Sequence, residues 1–292
     1  MLTGIKMAFV GGDARMIEVI KSSIELDASV VLIGFDQLDL PHTDAVKADL
    51  TPDNLADVDA IVLPVSGMDD AGNVQAQYSS KPIILEAAHF DALPRHCQVF
   101  TGIARKRLSD LCQESGLRLI KLMEFDEVAI SNSIPSAEGA ILMAMQNTDI
   151  TIHGSRSLVL GLGRCGITLA RMLHGIGANV AVGARQAADL ARIEEMRLTP
   201  FAMSDLMKAV QQADLIFNTV PAMVLSAEVL AKVPKSCVII DIASNPGGTD
   251  FRYAEKRGIK AILAPSLPGI VAPKTAGQIL ARTLCRLLWE HA

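Results

Sequence analysis

The feature that most constrains the fold is a glycine-rich turn between a strand-like run and a helical pattern. The aliphatic run ends at Leu160 and is followed by Gly161-x-Gly163-x-x-Gly166, after which apolar residues recur at helical spacing. Here the first glycine permits a tight turn, the second admits a pyrophosphate to the backbone, and the third lets helix and strand pack closely. The amides that open the helix then face the phosphates. The pattern predicts a dinucleotide site, although glycines at this spacing also serve in ordinary turns.

The end of the next predicted strand bears on which dinucleotide is bound. The run from Asn179 to Gly183 leads into Ala184 and Arg185, where an NAD-binding domain usually carries an acidic residue for the ribose 2′-hydroxyl. A guanidinium can hold a 2′-phosphate through two hydrogen bonds, whereas a carboxylate would repel it. The first acidic residue after the strand is Asp189. Arg185 therefore favours NADP over NAD, with a solvated surface arginine as the alternative interpretation.

The glycine turn and a neighbouring strand end supply the other candidates for cofactor binding. Besides the three glycines and Arg185, these candidates are Leu162, Arg164, Cys165, Asn218, Thr219, Val220 and Pro221. Ligands of open parallel sheets bind beyond the carboxyl ends of the strands, so polar groups directly after a strand are well placed. Residues 218–221 suit contact with either ribose of the cofactor, or else form a plain strand-to-helix turn.

Composition restricts the class of protein. Half of the 292 residues are hydrophobic and only 4% are aromatic, which favours the aliphatic core of a parallel α/β sheet. The net charge of −5 provides no basic footprint for nucleic acid or an anionic membrane, and no apolar run approaches membrane-spanning length. The five cysteines are scattered without metal-ligand spacing, so we expect reduced thiols and no metal site. Because the N-terminus lacks signal-peptide features, we expect a cytoplasmic protein.

Alternating strand and helix patterns predict the domain organisation. Both halves of the chain show the α/β alternation, so we expect two Rossmann-like, doubly wound parallel-sheet domains with a cleft between them, joined by two crossing helices. The first domain is expected to span 1–130 plus 275–292. The second is expected to span 131–274 and to include a linking helix over 134–147.

The first half differs from the second at its first turn. Strand-like runs begin at Lys6, Ser29 and Ala60, and the run 82–85 continues the series. Gly11-Gly-Asp13 follows the first run and places a carboxylate where a pyrophosphate would lie. We therefore predict a substrate domain on a similar scaffold.

The predicted strand ends of the first half carry groups that suit carboxylates, with 130–133 taken as one of these ends. The candidate substrate-binding residues are Asp13, Arg15, Ser66, Ser131, Asn132 and Ser133. Small hydroxyls, amides and a guanidinium can hold an anion and are unsuited to a metal ion. Arg15 can equally form a salt bridge with Asp13, and residues 131–133 can simply cap the helix that follows.

No catalytic base stands out among the residues. Lys274 could bind a carboxylate or move a proton, although a surface lysine is the ordinary alternative. Asp13 is the other candidate proton acceptor, and solvent is a third. A hydride transfer makes modest demands on side chains, because the cofactor carries the chemistry and the protein mainly positions the reactants.

Several longer motifs together resemble one family. The segments that carry the resemblance are Gly11-Gly-Asp-Ala-Arg15, Gly34-Phe-Asp-Gln-Leu38, Asn132-Ser-Ile-Pro135, Thr151-Ile-His-Gly-Ser155, Gly161-Leu-Gly-Arg164, Gly183-Ala-Arg185, Pro246-Gly-Gly-Thr-Asp-Phe251 and Leu263-Ala-Pro-Ser-Leu-Pro-Gly-Ile-Val-Ala-Pro-Lys-Thr-Ala-Gly277. Over nearly the whole chain they are similar to the A subunit of dipicolinate synthase from spore-forming bacteria. The second half also resembles, more broadly, the NAD-binding domains of 2-hydroxyacid dehydrogenases and adenosylhomocysteinase.

The resemblance implies an activity. It implies an NADP-dependent oxidoreductase that oxidises a dihydrodipicolinate-type intermediate to pyridine-2,6-dicarboxylate for spores. The intermediate would come from 4-hydroxytetrahydrodipicolinate, on a branch of lysine biosynthesis. The substrate would thus be a small dicarboxylate.

The resemblance also implies partners and a location. It implies a heteromeric complex with the flavoprotein-like B subunit of dipicolinate synthase, in the cytoplasm of the mother cell during sporulation, and it is compatible with a homo-oligomer. One alternative is a non-catalytic NADP(H)-binding scaffold or regulatory protein for the B subunit. Another is a cofactor-retaining enzyme similar to adenosylhomocysteinase, which would need an acidic residue in place of Arg185.

Overall fold

The chain divides into two compact units. The structure is a computed structural model that describes residues 1–41, 44–244 and 246–290. Unit 1 contains residues 1–131 and 272–292, and unit 2 contains residues 132–271. The sequence predicts domain boundaries after residues 130 and 274, and the last two residues of the predicted first domain lie outside the described ranges.

Unit 1 is built on a parallel sheet. Its strands are β1 (Lys6–Val10), β2 (Ser29–Ile33), β3 (Val46–Ala48), β4 (Ala60–Val62), β7 (Gln98–Thr101) and β8 (Arg118–Lys121). They lie in the order β3-β2-β1-β4-β7-β8, and every pair is parallel. Buried, mostly aliphatic residues fill β1, β2, β4 and β7, as expected when helices cover both faces of a sheet, whereas the outer strands β3 and β8 are largely accessible.

The run 82–85 does not continue that sheet, which corrects the sequence prediction. The strand there, β6 (Ile83–Ile84), pairs with β5 (Asn73–Val74) in a separate antiparallel sheet. The Asp69 carboxylate accepts hydrogen bonds from the amides of Ala71 and Asn73 (2.9 and 2.8 Å) and so shapes the turn that starts this hairpin. An isolated apolar run does not reveal its pairing partner, because the partner strand lies elsewhere in the chain.

Unit 2 repeats the strand order of unit 1. Its strands are β9 (Arg156–Leu160), β10 (Asn179–Ala184), β11 (Thr199–Ala202), β12 (Leu215–Asn218), β13 (Val238–Asp241) and β14 (Lys260–Leu263). They form one parallel sheet in the order β11-β10-β9-β12-β13-β14. In both units the first strand is central and the order reverses beside it, which is the doubly wound, Rossmann-like arrangement. The predicted α/β class with two such sheets is confirmed.

Helices cover the sheets. They are α1 (Ala14–Glu25), α2 (Ala87–Asp91), α3 (Lys106–Glu114), α4 (Asp126–Asn147), α5 (Arg164–Gly175), α6 (Ala187–Glu195), α7 (Leu206–Ala209), α8 (Ala227–Leu230), α9 (Phe251–Arg257), α10 (Leu267–Val271) and α11 (Pro273–Glu290). The chain passes between the units twice, within α4 and directly before α11. In the described ranges, each helix falls short of the length or the apolar character needed to cross a membrane.

The core of unit 2 fixes the strand ends that matter for function. Val159, Val182 and Phe217 have no exposed surface and pack on the inner face of the helices. Burial of each such side chain contributes about 1.5–3 kcal/mol to stability. In the parallel register Leu160 pairs with both Gly183 and Asn218, so the loops after β9, β10 and β12 start side by side at one sheet edge.

Helix α4 begins earlier than the sequence predicts. It starts at Asp126, whereas the sequence places the linking helix over 134–147. Asp126 and Glu127 lie in its first turn, where carboxylates interact favourably with the positive end of the helix dipole. The prediction rests instead on the polar residues before Pro135, which resemble a helix start.

Pro135 lies inside α4 and not in its first turn. Its ring removes one backbone hydrogen bond, and the Ser136 hydroxyl donates to the Asn132 carbonyl (2.8 Å) beside it. Packing of the following turns in unit 2 offsets the loss, since Ala137 and Ala140 are fully buried. Residues 130–133 are therefore part of a helix, and their prediction as a strand end was wrong.

Candidate functional site

The first turn of unit 2, between β9 and α5, is shaped by its glycines. Gly161 adopts φ +97°, and a Cβ there would lie 2.7 Å from Thr219 Oγ1. A Cβ at Gly166 would collide with the Gly161 carbonyl oxygen, so the helix start packs directly on the turn. At Gly163 a Cβ would meet no atom of the described residues within 4 Å. Two glycines thus shape the turn, and the third leaves room for a ligand beside the backbone.

The start of α5 suits an anion. Gly163 is its N-cap and has no side chain to bond the first amides of the helix. These amides and the helix dipole attract negative charge, as in phosphate sites. Burial raises the pKa of the Cys165 thiol, against the opposing influence of Arg164 and Ser136. The thiol therefore stays protonated and adds no negative charge beside this site.

A cavity of about 430 Å³ lies beside the turn, at the carboxyl ends of β9, β10 and β12. The predicted cofactor-binding residues that line it are Gly161, Leu162, Gly163, Arg185, Thr219, Val220 and Pro221. Arg164, Cys165 and Gly166 form the helix start and are outside the lining. The structure therefore brings residues from three separate loops around one cavity, as expected where parallel strands end together.

The cavity has apolar walls and a charged rim. Leu162, Val220 and Val224 contribute aliphatic surface. Gly183 lets Phe201 and Met203 pack directly on the strand, because a Cβ there would lie 2.6 Å from the Phe201 ring and 2.9 Å from the sulfur of Met203. Such walls suit the flat faces of an adenine, while the phosphates would lie toward the glycine turn.

Arg185 and Asp189 both line the rim. Arg185 is exposed directly after β10, and Asp189 lies in the first turn of α6, four residues on. The guanidinium suits a phosphate, and the carboxylate suits ribose hydroxyls. The sequence shows Asp189 as the first acidic residue after the strand but does not indicate that it lies at the site. Arg185 precedes the N-cap of α6, so no helical spacing links the two residues and no local pattern marked Asp189.

Asn218 shapes the cavity without lining it. It is fully buried, and its side-chain amide donates to the Val220 carbonyl and to Asp241 Oδ1, both at 3.1 Å. Its own oxygen accepts from the Val220 amide (3.1 Å). Thr219 is held in turn by a hydrogen bond from its hydroxyl to the Leu160 carbonyl (2.8 Å). These bonds determine the shape of the turn after β12.

In unit 1, Asp13 and Arg15 form an ion pair. Arg15 Nη2 lies 2.6 Å from Asp13 Oδ2, and Arg15 Nε donates to both oxygens (3.0 and 3.1 Å). Asp13 is also the N-cap of α1, since its Oδ1 accepts from the Arg15 amide (3.0 Å). The salt-bridge interpretation of Arg15 is therefore the one that the structure contains.

The first turn of unit 1 is filled by protein. The Gly12 amide donates to the Gln75 carbonyl (2.7 Å), and the Gln77 amide donates to the Gly12 carbonyl (2.9 Å). A Cβ at Gly11 would lie 2.7 Å from the same Gln75 oxygen. Ser66 lies beside this segment and bonds the Gln75 side chain (3.4 Å). The segment 75–77 therefore occupies the place that the phosphates take in an open unit.

The remaining predicted substrate residues lie on helices. Ser131, Asn132 and Ser133 are within α4, and the buried Ser133 hydroxyl shares a hydrogen bond with Thr168 Oγ1 of α5 (2.7 Å). Lys274 is exposed in the first turn of α11, one turn before Gly277. Gly277 packs on the Arg15 carbonyl, where a Cβ would collide. Lys274 is thus in the same unit as Asp13 and Arg15.

The five cysteines are not paired in disulfides, and four of them are buried. Burial raises the pKa of Cys97, Cys112 and Cys237 to about 12. The described part of the chain contains no group of three or more His, Cys, Asp or Glu residues that could hold a metal ion.

Two family models match the chain. Residues 6–123 match the N-terminal domain of the dipicolinate synthase A subunit. Residues 130–292 match the alanine dehydrogenase/PNT C-terminal domain. The second match places a dehydrogenase-like domain over the part of the chain that carries the cavity.

Individual proteins similar to this chain belong to the same family as the first model. The chain is 50% identical over 290 residues to the dipicolinate synthase A subunit of Bacillus subtilis (strain 168), covering 99% of this chain and 98% of that protein. The crystal structure of the dipicolinate synthase A subunit from Bacillus halodurans is 49% identical, with a TM-score of 0.96 and 99% of both chains covered. The dipicolinate synthase A chain from Bacillus subtilis is 50% identical, with a TM-score of 0.94 over 99% of this chain and 97% of that one.

A more distant structure shares the fold alone. Transhydrogenase from Sinorhizobium meliloti is 14% identical, with a TM-score of 0.69 over 97% of this chain and 93% of that one. The matches near 50% identity extend over both units and confirm the family indicated by the sequence motifs. The chain belongs to the family of dipicolinate synthase A subunits.

Proposed function

We propose that this protein is an NADP-dependent oxidoreductase that converts a dihydrodipicolinate-type intermediate into pyridine-2,6-dicarboxylate, in a complex with the B subunit of dipicolinate synthase. The observation that carries the proposal is the open glycine turn of unit 2, with Arg185 at the rim of the cavity beside it. The family relationship supports the product, and the dehydrogenase-like domain supports a nicotinamide nucleotide.

The cofactor proposal follows from the residues around the cavity. The pyrophosphate would lie against Gly163 and the amides that open α5, where there is space and positive potential. The adenosine would lie between the aliphatic walls, and its 2′-phosphate would reach Arg185. A bidentate bond from the guanidinium would distinguish NADP from NAD.

The proposed reaction needs little from the side chains. One ring carbon of the intermediate loses a hydride and a second ring position loses a proton, so two hydrogens leave and the ring becomes aromatic. When bound, the nicotinamide of NADP⁺ accepts the hydride. Aromatisation favours the products, and the protein mainly holds the ring in place and excludes competing reactions.

The dicarboxylate is proposed to bind through unit 1. Arg15 with its partner Asp13, Ser66 and the exposed Lys274 are the polar groups that the proposal assigns to it. Because Asp13 already caps α1 and pairs with Arg15, the proposal assigns the proton to solvent. Residues 131–133 are left out, since they belong to α4.

The reaction is tested by assay with the partner protein. Enzymatically made 4-hydroxytetrahydrodipicolinate is mixed with NADP⁺ and this protein, in the presence or absence of the B subunit, while NADPH absorbance is followed. We expect NADPH to form together with dipicolinate. Tight NADPH binding without turnover in any pairing would overturn the oxidoreductase proposal and favour the non-catalytic scaffold.

The cofactor preference is tested at Arg185. We expect Arg185→Ala to raise the Kd for NADPH about tenfold to a hundredfold, because a charge-assisted bond is lost, and to leave the Kd for NADH unchanged. Arg192→Ala is the matched control, since Arg192 is an exposed arginine on α6 that pairs with Glu195 (3.0 Å).

Asp189 provides the opposite probe at the same rim. If Arg185 holds a 2′-phosphate, Asp189→Asn should leave NADPH binding unchanged or tighten it, because a nearby negative charge is removed. Weaker NADH binding in Asp189→Asn, together with unchanged NADPH binding in Arg185→Ala, would contradict the NADP proposal.

A further inference from the structure

Asp241 is a carboxylate with no exposed surface, at the carboxyl end of β13. It accepts four hydrogen bonds from neutral groups. The donors are the side-chain amide of Asn218 (3.1 Å), the backbone amides of Ala243 (3.0 Å) and Gly248 (2.9 Å), and the Thr249 hydroxyl (2.6 Å). A buried charge is costly unless donors of this kind surround it, so the four bonds have to be kept together.

The four donors come from three separate segments. Asn218 ends β12, Ala243 follows β13, and Gly248 and Thr249 precede α9. A single carboxylate therefore joins three loops at the sheet edge that carries the cavity. An asparagine would not reproduce these bonds, because its NH₂ group would face at least one backbone N–H that needs an acceptor.

Two of these segments hold the wall of the cavity. Asn218 bonds both backbone groups of Val220 (3.1 Å each), and Val220 lines the cavity. Gly248 supports the same wall from the other side, since its carbonyl accepts from the Val224 amide (3.0 Å). A Cβ at Gly248 would lie 2.6 Å from the Val220 carbonyl and 2.5 Å from that of Ala222, so the two segments are in close contact.

We infer that Asp241 is a positioning residue for the cofactor site. It acts through Asn218 and Gly248, which fix the wall formed by residues 219–224, and it does not touch the cavity itself. The inference rests on the proposed function only in that the cofactor occupies this cavity. It adds a residue that determines how well the preformed wall fits the cofactor.

The test uses the full-length protein and titration with NADPH and NADH. We expect Asp241→Asn to raise the Kd of whichever nucleotide the wild type binds about tenfold, since a buried bond to a charged group is lost. Asp214→Asn is the matched control. Asp214 is in the same unit, and its carboxylate pairs with Arg156 (2.9 Å), which begins β9 at the opposite edge of the sheet. The control should keep the wild-type Kd.

A double variant tests the route through Asn218. If Asp241 acts on the wall through Asn218, the effects of Asp241→Asn and Asn218→Ala on the Kd should be non-additive. The double variant should then bind the nucleotide only slightly less tightly than the single variant with the higher Kd. Additive effects would overturn that route. A Kd within twofold of wild type in Asp241→Asn, or an equal rise in Asp214→Asn, would overturn the positioning role.

If Asp241→Asn does not fold, a second variant takes its place. Asn218→Ala removes the bond between Asn218 and Asp241 from its other end and must raise the Kd about tenfold. A wild-type Kd in Asn218→Ala would overturn the inference. Failure of the proposed cofactor site is distinct, because the wild type itself would then bind neither nucleotide.

Discussion

The two units use the same strand order but differ at their first turn. In unit 1 the turn at Gly11-Gly12 is bonded along its backbone to the segment 75–77. In unit 2 the turn at Gly161–Gly166 is bordered by an open cavity. The scaffold alone therefore does not leave the first turn open to a ligand. Whether the turn is open depends on whether another part of the chain forms hydrogen bonds with its backbone groups.

The two sheets are built alike at the edge where their strands begin. Asp59 accepts a hydrogen bond from the Lys6 amide at the start of β1 (2.7 Å), and Asp214 accepts one from the Arg156 amide at the start of β9 (2.8 Å). Each carboxylate thus joins the central strand to the loop before its neighbour. This feature is present in both units, so it does not account for the difference between their first turns.

A second shared feature precedes β7 and β13. The amide of Cys97 donates to the Pro94 carbonyl (2.8 Å), and the amide of Cys237 donates to the Pro234 carbonyl (3.0 Å). Burial raises the pKa of both thiols to about 12. The two units are therefore alike where only stability is at stake, and they differ at the carboxyl edge, where ligands bind.

The largest expected effect comes from filling the open turn of unit 2. Gly163→Asp should weaken cofactor binding at least about a hundredfold, because a carboxylate would meet the pyrophosphate and such like-charge contacts cost several kcal/mol. Thermal unfolding without cofactor should change little, since the described residues leave space there. Gly175→Asp, at the other end of α5 and equally open, is the matched control. Wild-type affinity in Gly163→Asp would contradict the location of the site.

The corresponding change in unit 1 should affect stability and not binding. Gly11 adopts φ +64° with the Gln75 carbonyl beside it, so Gly11→Ala should lower the free energy of unfolding by about 1–3 kcal/mol. Urea unfolding measures this, and the cofactor Kd should stay at the wild-type value. Gly4 has a similar φ, +86°, and none of the described residues would lie within 4 Å of a Cβ there, so Gly4→Ala should cost less. A raised Kd in Gly11→Ala would mean that the first turn of unit 1 also serves the cofactor.

The smallest effect on stability is expected at the edge of the unit 2 sheet where the strands begin. Hydrogen bonds from Arg156 lower the pKa of Asp214, so its folded-state value lies below the unfolded value of about 3.9. The stabilisation is then present above the unfolded pKa and is lost as pH falls through the lowered folded value. Because the pair is partly exposed, Asp214→Asn should cost less than about 1 kcal/mol at pH 6 and a smaller amount near pH 3. Urea unfolding at both pH values measures it, and an equal cost at both would contradict the ion-pair explanation.

Much of the fold could be predicted because local patterns carry it. Glycine spacing after an aliphatic run marks the first turn of unit 2, and repeated strand and helix patterns mark two α/β units. Arg185 was found because its place at the end of β10 follows from counting along one strand. The family resemblance rested on motifs spread over the whole chain, and the comparisons confirm it.

Other features could not be predicted because they depend on contacts far apart in sequence. The start of α4 was misplaced, since Pro135 is compatible with a helix interior when neighbouring turns are packed. The strand β6 was assigned to the wrong sheet, because its antiparallel partner β5 is not apparent from the apolar run itself. Asp189 and Asp241 were not recognised, since neither shows a local pattern that distinguishes it from an ordinary carboxylate.

The sequence by itself determined the α/β class, the glycine turn and the strand ends, because each depends on backbone conformation and apolar spacing over a few residues. Only the tertiary structure decided which of the two first turns is open. The segment 75–77 lies more than sixty residues from Gly11-Gly12 in the chain, and the hydrogen bonds between them arise only when the sheet of unit 1 has formed. The same holds for Asp241, whose four donors come together only through the alignment of β12, β13 and the start of α9.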